Sequence, residues 1–340
     1  MQEYSKKSVS DIIIERIIKD AEKLGTMPWQ RPYSIYNSFN WVTKKSYRGI
    51  NRLILPFGEY LTKNQINEYN REHNEDYRFI KGIMWYPIVY FKYDEKPCSK
   101  AELEEIAAEK DQMGTEFEDS SDMGSNTVFI TRHNGWNYYK REGKYFKGRN
   151  ILKYYSVADR KFFVNSKGET LPSRIDTGEV EIVTSEPRDV LYNYLDRENI
   201  QVDYITGIPC YIPSFDRIQL NKLSKSESHF FSTAFHECAH STGHISRLNR
   251  SSLYNTDKES YAVDECIAEI TSCLLCAETG IMDFNTSGTE VYENNLAYIN
   301  YWKGKLKQWG KEFIYIVSQA DKAFNYIMSA TEEDWEEGIL

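Results

Sequence analysis

Nowhere in its 340 residues does the chain hold an uncharged apolar run approaching the ~20 residues of a membrane-spanning helix, so no membrane partner is expected. Residues 1–25 mix charges into an apolar run with a helical period, which fits neither a secretory signal nor a transit peptide; the expected location is the cytoplasm. Cysteine is sparse, at six: Cys98, Cys210, Cys238, Cys266, Cys273 and Cys276. Without a secretion signal no disulfide framework is expected, and Cys273 and Cys276, inside one helical pattern, read as small buried residues rather than a zinc or redox pair. Histidine is equally scarce, again six. The chain also lacks an overall positive charge, its net charge being −9.

What is present is ordinary globular composition, 41% hydrophobic and 14% aromatic with 26 tyrosines, in a chain long enough for two domains. The charge is uneven. Residues 1–150 carry 24 Lys/Arg against 22 Asp/Glu, residues 151–340 carry 18 against 29, and residues 94–122 alone hold 11 acids and 3 bases. A basic, tyrosine-rich N-terminal domain over 1–162, with an acidic insertion at about 94–125, is therefore expected. A linker at 163–173 and an acidic C-terminal domain over 174–340 follow. The expected class is α+β: an N-terminal α/β domain with a small sheet, then a helical domain with a short-stranded sheet.

Apolar spacing predicts helices over 8–24, with Ser8 or Ser10 as cap and Gly25 as stop, and over 100–110, 187–198, 225–242, 260–280, 294–309 and 313–330. Residues 53–56 and 59–68 read as apolar, helical pieces. Strands are expected at 85–93 and 127–131, with two or three short ones in 202–220 broken at Pro209 and Pro213. Residues 138–155, YYKREGKYFKGRNILKYY, alternate cations with tyrosines. A positive groove with stacking platforms holds single strands without sequence preference. The alternative, which composition alone favours, is a solvated hairpin whose tyrosines cover the core.

The sharpest feature is FHECAHSTGH, residues 235–244, where His236, Glu237 and His240 form an HExxH motif. Positions four apart share a helix face, so two imidazoles reach one zinc ion while Glu237 sits beside the metal-bound water. With six His and 51 acids in the chain, chance placement has a probability on the order of one in a hundred. The apolar neighbours Phe230, Phe231, Ala234, Phe235 and Ala239 mark one side of the helix as buried. A third ligand is still needed. His244 lies about 12 Å along a continuous helix from His236, so it reaches the same ion only if the chain turns at Gly243, and the metzincin position, 246, is Ser. Glu265 and Glu269, four apart on the next helix, share a face and resemble the gluzincin arrangement, which implies Glu265 as ligand and Glu269 as the acid that orients a ligand imidazole. Two His and one Glu leave a position open for water, with Glu237 as general base. Tyr261 or His244 is the candidate for oxyanion support.

These residues resemble the ArdC antirestriction family, related to the N-terminal part of TraC plasmid primases. The resemblance is carried by Pro28-Trp29, the T-x-K-x-Y-R-G-I-N stretch over 43–51, Lys81-Gly82, Tyr154-Tyr155-Ser156-Val157, Asp216-Arg217-Ile218 and HExAHxTGHxxRLxR over 236–250. Glu265-x-x-Ala-Glu269 and Tyr298-Ile299-x-x-Trp302 extend it. It implies an N-terminal domain binding single-stranded DNA and a zincin-like, gluzincin-type metallopeptidase domain related in outline to ImmA/IrrE regulators. The family accompanies mobile DNA in bacteria, on plasmids, transposons or phage, and protects it from restriction. DNA contacts are then expected from Trp29, Lys44, Lys45, Tyr47, Arg48, Asn51, Lys81, Tyr138, Lys140, Arg141, Lys144, Tyr145, Lys147 and Arg149. Two departures stand out: Val157-Ala158-Asp159 where the family reads Val-Phe-Asn, and a longer acidic stretch.

Three functions compete. One joins a single-strand binder, with double-stranded DNA as a further partner, to a zinc peptidase acting on a protein substrate. Another keeps one zinc per chain only to stabilise a DNA-coating domain. A third treats the acidic insertion as a DNA mimic that occupies a restriction enzyme, although acid runs on a helix are usually solvated surface.

Overall fold

Ser8 opens helix α1 (Val9–Leu24) with a reciprocal cap, its hydroxyl and the Asp11 carboxylate each satisfying the other's backbone N–H, and Gly25 closes it at φ 71°. A computed structural model describes residues 7–30, 38–111, 127–175, 185–255, 257–281 and 289–328. Two compact units result, Met1–Ile88 with Tyr155–Ile339, and Val89–Tyr154. The acidic loop expected at 119–125 and the acidic end at 332–337 lie outside the described residues.

In the larger unit α1 is followed by a 3-10 turn at Pro28–Gln30, β1 (Ser38–Asn40), α2 (Ile50–Ile54), β2 (Gly58–Leu61), α3 (Lys63–His73) and β3 (Arg78–Phe79). The helix expected from 59 starts later because Thr62 is its N-cap, paired with Gln65, so 59–61 are free to pair as strand with β1. β4 (Tyr86–Pro97) and, after α4 (Lys100–Asp111), β5 (Thr127–His133) and β6 (Trp136–Arg141), the long β7 (Lys144–Asp159) each run from one unit into the other.

In the smaller unit β5, β6 and β7 form an antiparallel meander, and β4 also pairs with β7. Both hairpins turn on residue pairs with positive φ, Asn134-Gly135 and Glu142-Gly143, the backbone twist that two-residue hairpins need. The hairpin reading of 138–155 is what forms. Leu103 and Ile106 of α4 pack on Tyr138, with Trp136, Tyr145 and Ile130 around them. The Tyr93 ring lies over Gly148, where a Cβ would overlap it.

The larger unit resumes with β8 (Phe163–Val164), paired with β3, then α5 (Pro187–Glu198), β9 (Gln201–Ile205), β10 (Cys210–Ile212) and β11 (Arg217–Asn221) in the order β10-β11-β9. α6 (Glu227–Ser241), α7 (Ser251–Tyr254), α8 (Lys258–Glu278), α9 (Thr289–Trp309) and α10 (Lys311–Ile327) complete it. The stretch expected as a linker contributes to a core instead: Phe163 and Leu171 are fully buried with Trp41, Leu61 and Ile66, and Trp41 donates to the Pro172 carbonyl at 2.8 Å. N-terminal residues also pack on the C-terminal helices. Trp29 sits 5.9 Å from both Trp302 and Phe313, and the Arg52 guanidinium lies 5.0 Å over Phe324.

Candidate metal centre

Helix α6 carries both imidazoles. Ser226 caps it, accepting from the His229 N–H, and its stripe of Phe231, Ala234, Phe235, Cys238 and Ala239 is buried, with α8 packed against the helix. One turn apart, His236 and His240 bring their Nε2 atoms to 3.1 Å. From α8, Glu265 brings Oε2 to 3.5 Å from His236 Nε2 and Oε1 to 3.7 Å from His240 Nε2. Among the described residues these three form the one group of potential ligands whose atoms lie within 4.8 Å of one another. Two nitrogens bound to a tetrahedral ion at ~2.0–2.1 Å lie roughly 3.3 Å apart, so the donor set and its spacing fit a divalent metal with an open position.

The shell behind the ligands differs from expectation in one respect. His240 Nδ1 is 2.7 Å from Asp264 Oδ2, a carboxylate the sequence reading passed over. Asp264 is buried and also accepts from Arg250 Nε at 3.1 Å and Ser252 Oγ at 2.9 Å. Burial opposes its ionisation, but the His240 hydrogen bond and the Arg250 charge outweigh this and hold the carboxyl at about 2. Arg250, itself buried, also donates to Thr242 Oγ1 at 2.5 Å and the Ala239 carbonyl at 2.9 Å, fixing the C-terminal turn of α6. Glu269, expected to orient a ligand, lies 3.9 Å from His236 Nδ1, too long for a hydrogen bond.

Glu237 is buried beside the ligands, and burial raises its pKa although His240 and His236 pull the other way. The backbone of Tyr211 on β10 lies near it and also favours the charged form. That strand is braced by a second buried arginine: Arg247 donates to the Ser241 carbonyl at 2.7 Å, to Tyr211 Oη at 3.2 Å and to both Asp216 oxygens. Tyr261, 63% exposed, neighbours the Glu265 carboxylate, which pushes the Tyr261 pKa up to about 12. His244 is outside the ligand group and meets Ser246 Oγ at 2.7 Å. All six cysteines are free, four of them buried.

The expected DNA contacts scatter. Trp29 is 0% exposed, Tyr138 4% and Tyr47 9%, the last packed with Leu55, Tyr60, Ile88 and Val157. Rings so enclosed by core side chains offer no face to a base, which corrects the stacking roles expected of them. Lys44, Lys45, Lys81, Lys140 and Lys144 are exposed, whereas Arg48, Asn51, Arg141, Tyr145, Lys147 and Arg149 are half-buried. Arg250 and Arg247 had a signal, the two arginines of the RLxR tail, but only their burial reveals the partners.

Residues 192–319 match the family described as zincin-like metallopeptidase, and residues 7–129 match the N-terminal domain of anti-restriction factor ArdC. Two DNA primase TraC proteins of Escherichia coli are 24% and 26% identical over 98% of this chain, which covers 20% and 28% of them. The chain thus spans about a fifth to just over a quarter of those relatives' length. An uncharacterised protein, y4eC, of Sinorhizobium fredii is 27% identical over 36% of this chain and 39% of its own length. The antirestriction ArdC protein from R388 plasmid shares the fold. Its metal-free structure aligns at a TM-score of 0.59 with 22% identity, covering 95% of this chain and 97% of that one. The Mn(II)-bound structure gives 0.58 and 21%, covering 95% and 98%.

Proposed function

Because the chain joins the N-terminal domain of an ArdC-type anti-restriction factor to a zincin-like metallopeptidase domain, we propose that it is an antirestriction protein of mobile DNA. In this reading it binds single-stranded DNA and cleaves a protein substrate with a zinc-dependent site. The observation that carries the peptidase half is the convergence of His236, His240 and Glu265 beside the buried Glu237. Bound there, a divalent ion supplies Lewis acidity toward a water and a peptide carbonyl. Glu237, its pKa raised by burial, takes the proton from the attacking water and returns it to the leaving amine. Asp264 holds the His240 ring with Nε2 facing the ligands, and Tyr261 offers a hydroxyl at the rim. The donor set favours zinc, while the related R388 protein has a Mn(II)-bound form.

Metal content and proteolysis test this together. Wild type should bind one zinc per chain and cleave a protein substrate; Glu237→Gln should keep the zinc and lose cleavage by at least 100-fold; His236→Ala should lose both. Zinc bound without cleavage in any preparation would leave only the reading in which the ion stabilises a DNA-coating protein. The DNA half is supported by the N-terminal family match and by the exposed Lys44, Lys45, Lys81, Lys140 and Lys144. Binding of an oligo-dT strand that weakens steeply with salt is expected.

A further inference from the structure

We propose that the acidic stretch at the end of β4 and the start of α4 is an internal competitor that occupies the polyanion-binding face of residues 89–154. The inference rests on the reading that this protein binds single-stranded DNA. The β6–β7 register sets Tyr138 opposite Lys147, Tyr139 opposite Phe146 and Arg141 opposite Lys144, so cations and rings fall on both faces of the hairpin. Acids meet them on each. On one face Glu102 Oε1 lies 2.6 Å from Lys147 Nζ and accepts from Tyr138 Oη at 3.2 Å. Asp94 lies 3.9 Å from Arg149 Nε and 3.7 Å from Lys96 Nζ. On the other face Glu95 takes both arms of the Arg141 fork, at 3.2 and 2.8 Å, and the Tyr139 hydroxyl.

These carboxylates use the donors that a phosphate would use. A forked guanidinium gripping two oxygens, with a tyrosine hydroxyl beside it, is phosphate-binding geometry. Lys96, Lys147 and Arg149 also ring the Trp136 indole at 5.4, 5.6 and 4.2 Å, so a base and its linkage have a ring and cations ready. The acids come from one short stretch, 94–102, while Lys140 and Lys144, on the same hairpin, have no carboxylate within salt-bridge distance among the described residues. Side chains of the pairs remain roughly a quarter to two-fifths exposed, where ion pairs hold weakly and are screened by salt. A strand carrying many phosphates therefore displaces them, and the stretch sets a threshold for binding rather than a block.

The test is oligo-dT affinity against salt for the full chain. Glu95→Gln with Glu102→Gln frees Arg141 and Lys147. It should tighten binding about five- to tenfold at low salt and steepen the log K against log salt slope by roughly 1.4, about 0.7 for each freed cation on a single strand. Glu104→Gln with Glu105→Gln makes the same charge change, but Glu104 pairs only with Lys100, and the slope should not move. Lys147→Gln should cost more affinity in the Glu102→Gln background than in wild type. If both double variants tighten binding equally, long-range charge accounts for the effect and the competitor is overturned. If wild type binds and Glu95→Gln with Glu102→Gln, confirmed folded by its melting transition, binds no tighter, the competitor is likewise overturned. If no version binds DNA, the DNA-binding reading and the competitor fall together.

Discussion

Asp264 and Glu265, adjacent on α8, do different work. Glu265 faces the imidazoles, and Asp264 turns back into the core to hold the His240 ring and meet Arg250. Second-partner carboxylates of this kind typically change metal affinity by 10–100-fold. Asp264→Asn should therefore weaken zinc binding by that range in a chelator competition, while Glu269→Gln, with its longer approach to His236, should cost less. Arg250→Met strands a buried carboxylate and should destabilise the fold by about 3–5 kcal/mol in denaturant melts. Asp216 gives the pH signature. Burial opposes its ionisation, but hydrogen bonds from Arg247 and Tyr211 outweigh this and keep its carboxyl below the usual range. A depressed carboxylate adds stability above its unfolded pKa of about 3.9 and loses it as pH falls through the folded value. Asp216→Asn should cost stability at pH 7 and progressively less below pH ~4, measured by melting the metal-free protein.

At the scale of elements, α6 and α8 are legible because a buried apolar stripe repeats along each, and their ends carry caps, Ser226 and Asp257. The sequence placed α5 at 187–198, the same bounds as the folded helix, with Pro187 in the first turn where its missing N–H is harmless. It misread 59–61, since a helical pattern cannot show that Thr62 caps the helix and releases the residues before it to a strand. Gly148 sits against Tyr93, whose ring occupies the space a Cβ would need. Gly148→Ala should therefore unfold the smaller unit several degrees earlier, read by loss of amide-exchange protection confined to 127–154.

For the molecule as a whole, the N-terminal motifs serve the core as well as any ligand. Ile13, Ile14, Ile17 and Ile18 of α1 are buried, and α1 packs against α9 and α10. Asp321 on α10 is half-buried, with Arg52, Arg48 and the Gly49 backbone around it, the last two inside the stretch over 43–51 that carries the family resemblance. Trp29→Ala should thus destabilise by about 3–5 kcal/mol, as large buried aromatics do, with DNA affinity of the folded fraction unchanged. A chain begun at residue 174 exposes Trp302 and Phe313 and should fail to give a cooperative melt.

The sequence by itself determined the candidate ligands, because helical periodicity sets His236 and His240 on one face of a helix and offers Glu265 on another; the packing of α6 on α8 decided that the three meet. It also determined most helices and the hairpin at 138–155, where caps, glycines and alternation are local signals. Tertiary structure decided which tyrosines and tryptophans face solvent, that Asp264 holds the His240 imidazole while Glu269 lies nearer His236, and that the acids of 94–102 lie on the cations of β6 and β7. Those outcomes depend on which surfaces meet at long sequence separation, and burial of a ring or pairing of a charge leaves no trace in the residues that flank it.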